Sequence, residues 1–175
     1  LIDKRSNPPR DAPQKYGESL VQCSGYYFSK VLDLEEYLLI NHYLKYNLRF
    51  YWPTEGLSNR DFEDYSQSYA RVISNIATFQ LDRNLLEEHL LTINQADPRC
   101  DFHGGARNLN VDLSENGGLH RVSFEGSSVM CRWVVDASGR SRVLKRQLGL
   151  AQDNPIRHGA TFFWVEGLVN IEKIT

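Results

Sequence analysis

The sequence predicts an α/β fold, and three observations point to it. The stretch WVVDASGRSRVLKRQLGL, Trp133 to Leu150, runs from apolar, strand-like and buried-looking residues through an acid and a small-residue turn into a basic helix. A turn of that kind gathers backbone N–H groups and a helix N-terminus at one point, where phosphates and pyrophosphates settle. Helical and strand-like periodicities alternate upstream, LEEYLLINHYLKY before LRFYWP and ATFQLD before RNLLEEHLLTIN. Between the second of these helices and the aspartate turn, Phe102 to Ala137 carries three strand signals in succession.

Taken in order, LIDKR ends a short apolar run on an acid, Asp3. SNPPRDAPQKYGES holds three of the 6 prolines and reads as an extended loop, because each proline disfavours helix at the residue before it. From Leu34 to Tyr46 the spacing of Leu34, Tyr37, Leu38, Asn41 and Leu44 predicts a helix, with Asp33 as its N-cap. LRFYWP predicts a short strand stopping at Pro53, and the polar residues 53–75 an insertion or lid. ATFQLD predicts a strand. RNLLEEHLLTIN predicts an amphipathic helix, with Leu85, Leu86, His89, Leu90 and Ile93 on one side and Asp82 as its cap.

HGGARNLNVDLS, LHRVSFEG and SVMCRWVVDA predict a three-stranded antiparallel meander over 102–137. Asn116-Gly117 supplies the positive φ angles that the first tight connection needs, and Gly126-Ser127-Ser128 makes the second. HGATFFWVEGLVNIEK alternates again, as at the start of a new sheet over 156–175. The first residue is Leu rather than Met and residues 1–3 read like the end of a strand, so the chain is expected to be an internal fragment, incomplete at both ends.

Composition narrows the function classes. At 175 residues, 41% hydrophobic and 24% charged, the chain suits a globular domain or part of one. A formal net charge of -2 argues against nucleic acid or an anionic membrane as partner. No apolar run approaches the ~20 residues that span a bilayer, and LIDKRSNPPR lacks a signal-peptide pattern, so a cytoplasmic chain is expected. Cys23, Cys100 and Cys131 lack C-x-x-C spacing and read as reduced thiols. The five histidines show no i, i+4 pairing with a carboxylate, so no metal site is expected.

Four motifs, LIDKR, YGESL, FQLDRNLLEEHL and WVVDASGRSRVLKRQLGL, occur here in an order that resembles the middle of the FAD-dependent monooxygenase superfamily. Within it they are most similar to the group of flavin-dependent tryptophan halogenases. The resemblance covers nearly the whole chain. It implies a Rossmann-like FAD/NAD(P)-binding fold over residues 1–155 carrying the meander, with a substrate domain beginning at 156. It also implies FAD as cofactor and a reaction in which reduced flavin and oxygen hydroxylate a small organic substrate, aromatic ones included, or oxidise halide. Reducing equivalents would come from NAD(P)H or a separate flavin reductase. The fragment alone is expected to be inactive.

Residue by residue, the resemblance implies that Asp3 accepts hydrogen bonds from the adenosine ribose, and that Gly17, Glu18 and Ser19 stand beside the flavin. Arg83 would lie near the phosphates, Ala106 and Arg107 beside the adenine, and Asp136 and Gly139 beside the ribityl and pyrophosphate portion. Lys45 matches the lysine that halogenases place between flavin and substrate, where an ammonium can hydrogen-bond or capture an electrophilic oxygen or halogen species. The local readings stay open beside these: a solvated turn acid at Asp3, surface charge at Arg83, a capped turn at Asp136, and a helix-end cation at Lys45. Trp52, Tyr65 and Tyr69 are candidates to line an aromatic pocket or simply to pack. The glycine-rich fingerprint expected upstream of Asp3, and the segments separating halogenases from hydroxylases, are not in this sequence. Two alternatives remain: a flavin reductase of the geranylgeranyl reductase type, and a non-catalytic truncated nucleotide-binding module.

Overall fold

The structure, a computed structural model, describes residues 1–6, 15–46, 48–70, 72, 75–167 and 170. Helices and strands are mixed along the chain, and the strand ladders among the described residues are antiparallel. The chain divides into two compact units: Leu1–Arg10 with Glu88–Thr161, and Asp11–Glu87 with Phe162–Thr175.

In the unit around Asp11–Glu87, α1 (Gln22–Tyr26) runs directly into one π-helical turn, Tyr27–Val31, and α2 spans Glu35–Asn41. Strand β1 (Tyr43–Lys45) pairs with β4 (Thr78–Gln80) in the register Leu44 to Phe79. The other edge of β4 is occupied too. Ser19 bridges Gln80, the Leu20 N–H donates to the Phe79 carbonyl at 3.0 Å, and the Leu81 N–H donates to the Glu18 carbonyl at 2.8 Å. Phe79 and Leu38 are fully buried, and Leu34, Leu81 and Leu86 complete the apolar core of this unit. A separate hairpin joins β2 (Arg49–Pro53) to β3 (Tyr65–Tyr69), so the polar stretch expected as an insertion or lid supplies a strand.

The expected helix over Leu34–Tyr46 is corrected to a helix followed by a strand. It stops at Asn41, and His42 turns to φ -135, ψ 172. The imidazole Nδ1 of His42 accepts the Asp82 N–H at 3.1 Å, which fixes the corner, and β4 offers the next three residues a ladder. Asp33 is not the N-cap. It adopts φ 54, and Leu34 occupies the cap position without a side-chain hydrogen bond. Asp82 does cap α3 (Arg83–Ala96), its Oδ1 accepting the N–H groups of Asn84 at 2.9 Å and Leu85 at 3.1 Å.

In the other unit, β5 (Asn110–Asp112), β6 (His120–Phe124) and β7 (Ser127–Cys131) form a three-stranded antiparallel sheet in chain order. Val111 and Val122 face each other across it and are buried. Gly117 and Gly126 take φ 70 and φ 77 in the two connections. The third strand ends at Cys131 rather than at Asp136, because β6 begins at His120, the last rung available to it. Past that rung, the residues read as a buried strand are open to solvent, with Trp133 85% and Val135 87% exposed. After Asp136 a 3-10 turn, Gly139–Ser141, leads into α4 (Val143–Gln147), and Gln147 Nε2 ties α4 to the sheet by donating to the Val111 carbonyl at 2.8 Å. Residues 156–167 carry no strand. The proline loop over 7–14, and most of the expected new sheet after 167, lie outside the described residues.

Gly25 marks the closest approach of α1 to β4, since a Cβ built there would lie 2.6 Å from the Ala77 carbonyl oxygen and 3.3 Å from Thr78 Cα. Both neighbours are backbone and cannot swing away. Gly25→Ala is expected to cost about 1–3 kcal/mol through overpacking, read as a lower urea midpoint with an unchanged slope.

Candidate functional site

The local chain path explains which candidate residues meet. Residues Gly17 to Leu20 run along one edge of β4 while β1 occupies the other, so Lys45 at the end of β1 reaches past β4 to the Gly-Glu-Ser segment. Its Nζ donates to Ser19 Oγ at 3.0 Å and to the Leu20 carbonyl. Two residues 26 apart in sequence are thereby joined. Because Lys45 stands on a strand, the helix-end reading of its charge is withdrawn.

Arg83 opens α3. Its Nη1 donates to the Tyr16 carbonyl at 2.8 Å and its Nη2 pairs with Glu87 Oε1 one turn along the helix. Lys15 binds the other Glu87 oxygen, so two cations clasp one carboxylate. Burial works against the charge on Glu87, but the Lys15 hydrogen bond and the two positive charges hold its carboxyl below the usual range. Gly17 sits at φ 87 beside this cluster, with Arg83 Nη1 3.5 Å from where a Cβ would be. A side chain there would be strained, so the backbone at this point stays uncovered.

Glu18 points the other way from Gly17 and Ser19 in environment. It is only 9% exposed, and its Oε1 is buried with no hydrogen-bond partner. Burial, aided by the negative charge of Asp82, raises the Glu18 carboxyl above its usual value against the opposing Gln80 hydrogen bond and Arg83 charge.

In the unit containing the three-stranded sheet, Asp3 and Ala106 are brought together. Ile2 pairs with His103, and the Ala106 N–H donates to the Asp3 carbonyl at 3.0 Å. The Asp3 side chain accepts from Arg5, the backbone N–H at 2.9 Å and Nε at 3.3 Å on Oδ1, and Nη2 at 3.1 Å on Oδ2. Partial burial raises that carboxyl, yet the Arg5 bonds outweigh it and the net shift is downward. Arg107 is exposed, and its carbonyl accepts the Glu125 N–H at 3.0 Å.

Asp136 folds its own turn. Oδ1 accepts the Ser138 N–H at 2.9 Å, Oδ2 accepts the Leu144 N–H at 2.8 Å, and Ser138 Oγ accepts the Val143 N–H at 3.1 Å. Hydrogen bonds from Ser138 and then Leu144 lower its carboxyl below the ordinary value. Gly139 adopts φ 60 in the following turn. This is the geometry of a capped strand-to-helix turn, and the remaining lone pairs of an exposed carboxylate stay available.

The three candidate aromatics do not converge. Register places Trp52 opposite Ser66, on one face of the hairpin, and Tyr65 and Tyr69 opposite Pro53 and Arg49, on the other. Trp52 stacks on Phe50 with centroids 6.3 Å apart, the Tyr65 hydroxyl donates to the Asn59 carbonyl at 2.9 Å, and Arg49 lies 5.5 Å over Tyr69. The sequence reading missed Lys15, Glu87 and the Leu20 carbonyl. Glu87 was legible as the i+4 partner of Arg83, whereas Lys15 is 72 residues from Glu87 and gave no signal.

The fold is one found in halogenases. It matches halogenase PltM, solved with phloroglucinol and FAD, with a TM-score of 0.63 at 17% identity, covering 85% of this chain and 31% of that one. A second PltM structure matches with a TM-score of 0.62 at 18% identity, covering 85% and 30%. No family model matches the chain. In sequence it is 33% identical over 155 residues to the flavin-dependent halogenase chlA of Dictyostelium discoideum, over 79% of this chain and 25% of that protein. The chain is therefore a homologue of part of a flavin-dependent halogenase, and it spans about a quarter of that relative's length.

The Glu18 geometry makes stability depend on pH in a stated direction. Folding raises this carboxyl above its ordinary value of 4.5, so the unfolded chain gives up the proton first. The contribution is full below about 4.5 and is lost as pH rises through the higher folded value. Glu18→Gln keeps the shape and cannot ionise, so the variant is expected to gain stability relative to the parent as pH rises above about 4.5, measured by urea unfolding across a pH series. Parallel stability curves over that window would remove Glu18 from this account.

Proposed function

We propose that the chain is part of an FAD-dependent, halogenase-like oxidoreductase acting in the cytoplasm on a small organic substrate. In this reading, residues 1–155 belong to a Rossmann-like FAD-binding domain in which β5, β6 and β7 are the meander and 53–75 an insertion or lid, and a substrate-domain sheet starts at 156. The supporting observation is the 33% identity over 155 residues to a flavin-dependent halogenase. The fold shared with PltM, itself crystallised with FAD, agrees with it.

The residues present suit the cofactor. Arg83 stands beside the exposed backbone of Gly17 and shares the Glu87 carboxylate with Lys15, two cations on one acid, which suits phosphate oxygens. Asp3 Oδ2 accepts a single bond from Arg5 and keeps room for a ribose hydroxyl. Ala106, Arg107, Asp136 and Gly139 offer backbone groups and one exposed carboxylate for the adenine, ribityl and pyrophosphate portions. When bound and reduced, by NAD(P)H or by a separate reductase, FAD supplies the oxygen activation that oxidises halide or hydroxylates the substrate. The Lys45 ammonium would donate one hydrogen bond to the electrophilic species and orient it. Its Nζ spends two donors on Ser19 and Leu20, and the third remains for that task.

The test uses the full-length protein. Lys45→Ala is expected to abolish halogenated or hydroxylated product while FAD binding and flavin reduction stay normal. Arg83→Ala is expected to weaken FAD retention about tenfold or more, the loss of a charged hydrogen bond worth about 1.5–3 kcal/mol, measured by flavin absorbance after dialysis. Wild-type product from Lys45→Ala would remove the halogenase chemistry from that residue. Unchanged retention in Arg83→Ala would remove the phosphate contact.

A further inference from the structure

We infer that Ser19 is a positioning residue for Lys45, and that with the Leu20 carbonyl it forms a seat that aims the ammonium. The inference rests on the catalytic reading of Lys45. Ser19 Oγ lies 3.0 Å from Lys45 Nζ, and the Leu20 carbonyl accepts a second hydrogen bond from the same nitrogen. The seat is rigid because its base is backbone. Leu20 donates its N–H to the Phe79 carbonyl at 3.0 Å, Ser19 bridges Gln80, and Phe79 between them is fully buried.

The lysine is anchored at its other end as well. Tyr43, Leu44 and Lys45 pair with β4, and the Lys45 carbonyl accepts the Thr78 hydroxyl at 3.2 Å. A flexible four-carbon stem fixed at both ends loses the freedom that would otherwise blur the direction of its charge. An ammonium has three donors and no acceptor. With two held by Ser19 and Leu20, the direction of the third follows from tetrahedral geometry. Ser19 also keeps its own hydroxyl hydrogen, because an oxygen that accepts from an ammonium is free to donate onward. The hydroxyl thus acts through the lysine and does not need to touch the cofactor.

Four variants of the full-length, FAD-loaded protein test this. Ser19→Ala is expected to lower kcat for product about tenfold with KM and FAD affinity unchanged, and Ser19→Thr, which retains the oxygen, to restore it to within a few-fold. A readout independent of turnover is the rate at which an acylating reagent modifies Lys45, followed by peptide mass spectrometry. Release from its seat is expected to raise that rate several-fold in Ser19→Ala and not in Ser19→Thr. Unchanged turnover and unchanged labelling in Ser19→Ala, with Lys45→Ala inactive, would overturn the seat and leave the lysine reading standing. Loss of FAD affinity in Ser19→Ala with Lys45 labelling unchanged would also overturn it, assigning Ser19 to the cofactor. Full activity in Lys45→Ala would instead sink the catalytic reading on which the inference depends. Should Ser19→Ala fail to fold, labelling and kcat in Ser19→Cys, where a weak acceptor replaces a strong one, are expected to fall between those of wild type and a lysine without its seat; wild-type values in both would overturn the inference.

Discussion

The pairing of β4 on both of its edges is the constraint from which the candidate site follows. A three-residue strand has little stability of its own, and this one holds because β1 and the Glu18–Leu20 segment both bond to it while Phe79 is buried beneath. Each edge carries one half of a hydrogen-bonded pair, Lys45 on β1 and Ser19 on the opposite segment. Three residues of β4 join them in space. Thr78, Phe79 and Gln80 are a spacer whose width sets how far the lysine must reach.

How much of this was legible depends on the range of the interactions. Helix α3 was read correctly because its signals are local: Asp82 bonds to residues two and three positions on, and Arg83 to one four positions on. The antiparallel sheet of β5, β6 and β7 was likewise read from turn residues and alternation, which are short-range properties. Misreadings gathered where distant partners decide. Tyr43 to Lys45 fitted a helical face, but a ladder with residues 33 or more positions away and the His42 to Asp82 bond drew them into a strand. Trp133 and Val135 carried a strand pattern with no partner left on β6, so their apolar character ended exposed. Propensity proposes a conformation, and available hydrogen-bonding partners decide it.

Two aspartates at helix starts show why a motif needs its surroundings. Asp82 and Asp136 both accept backbone N–H groups near the beginning of a helix, and by that test they are alike. Their settings differ. Asp136 is exposed and its bonds stay within its own turn and helix, whereas Asp82 lies beside Glu18 and ahead of the Arg83, Glu87 and Lys15 cluster. The capping bonds account for the structure at Asp136 whatever else it does. At Asp82 the cap also fixes a negative charge where it bears on a buried acid.

That negative charge gives Glu18 its role in the electrostatics of the segment. Lys15 and Arg83 are cations, while Glu18, Asp82 and Glu87 are acids, so full ionisation would leave the cluster with three negative charges against two positive ones. Phosphate oxygens would then meet a net repulsion at Gly17. Glu87 is held ionised by its two cations, and Asp82 caps its helix. The remaining acid is the one that burial pushes toward its neutral form. Burying Glu18, where Gly17 and Ser19 face solvent, opposes that third negative charge; with Glu18 neutral the two cations and the two remaining acids balance. The alternation along Gly17, Glu18 and Ser19 separates their settings: the outer two positions are exposed, with Ser19 bonded to Lys45, and the middle one is buried.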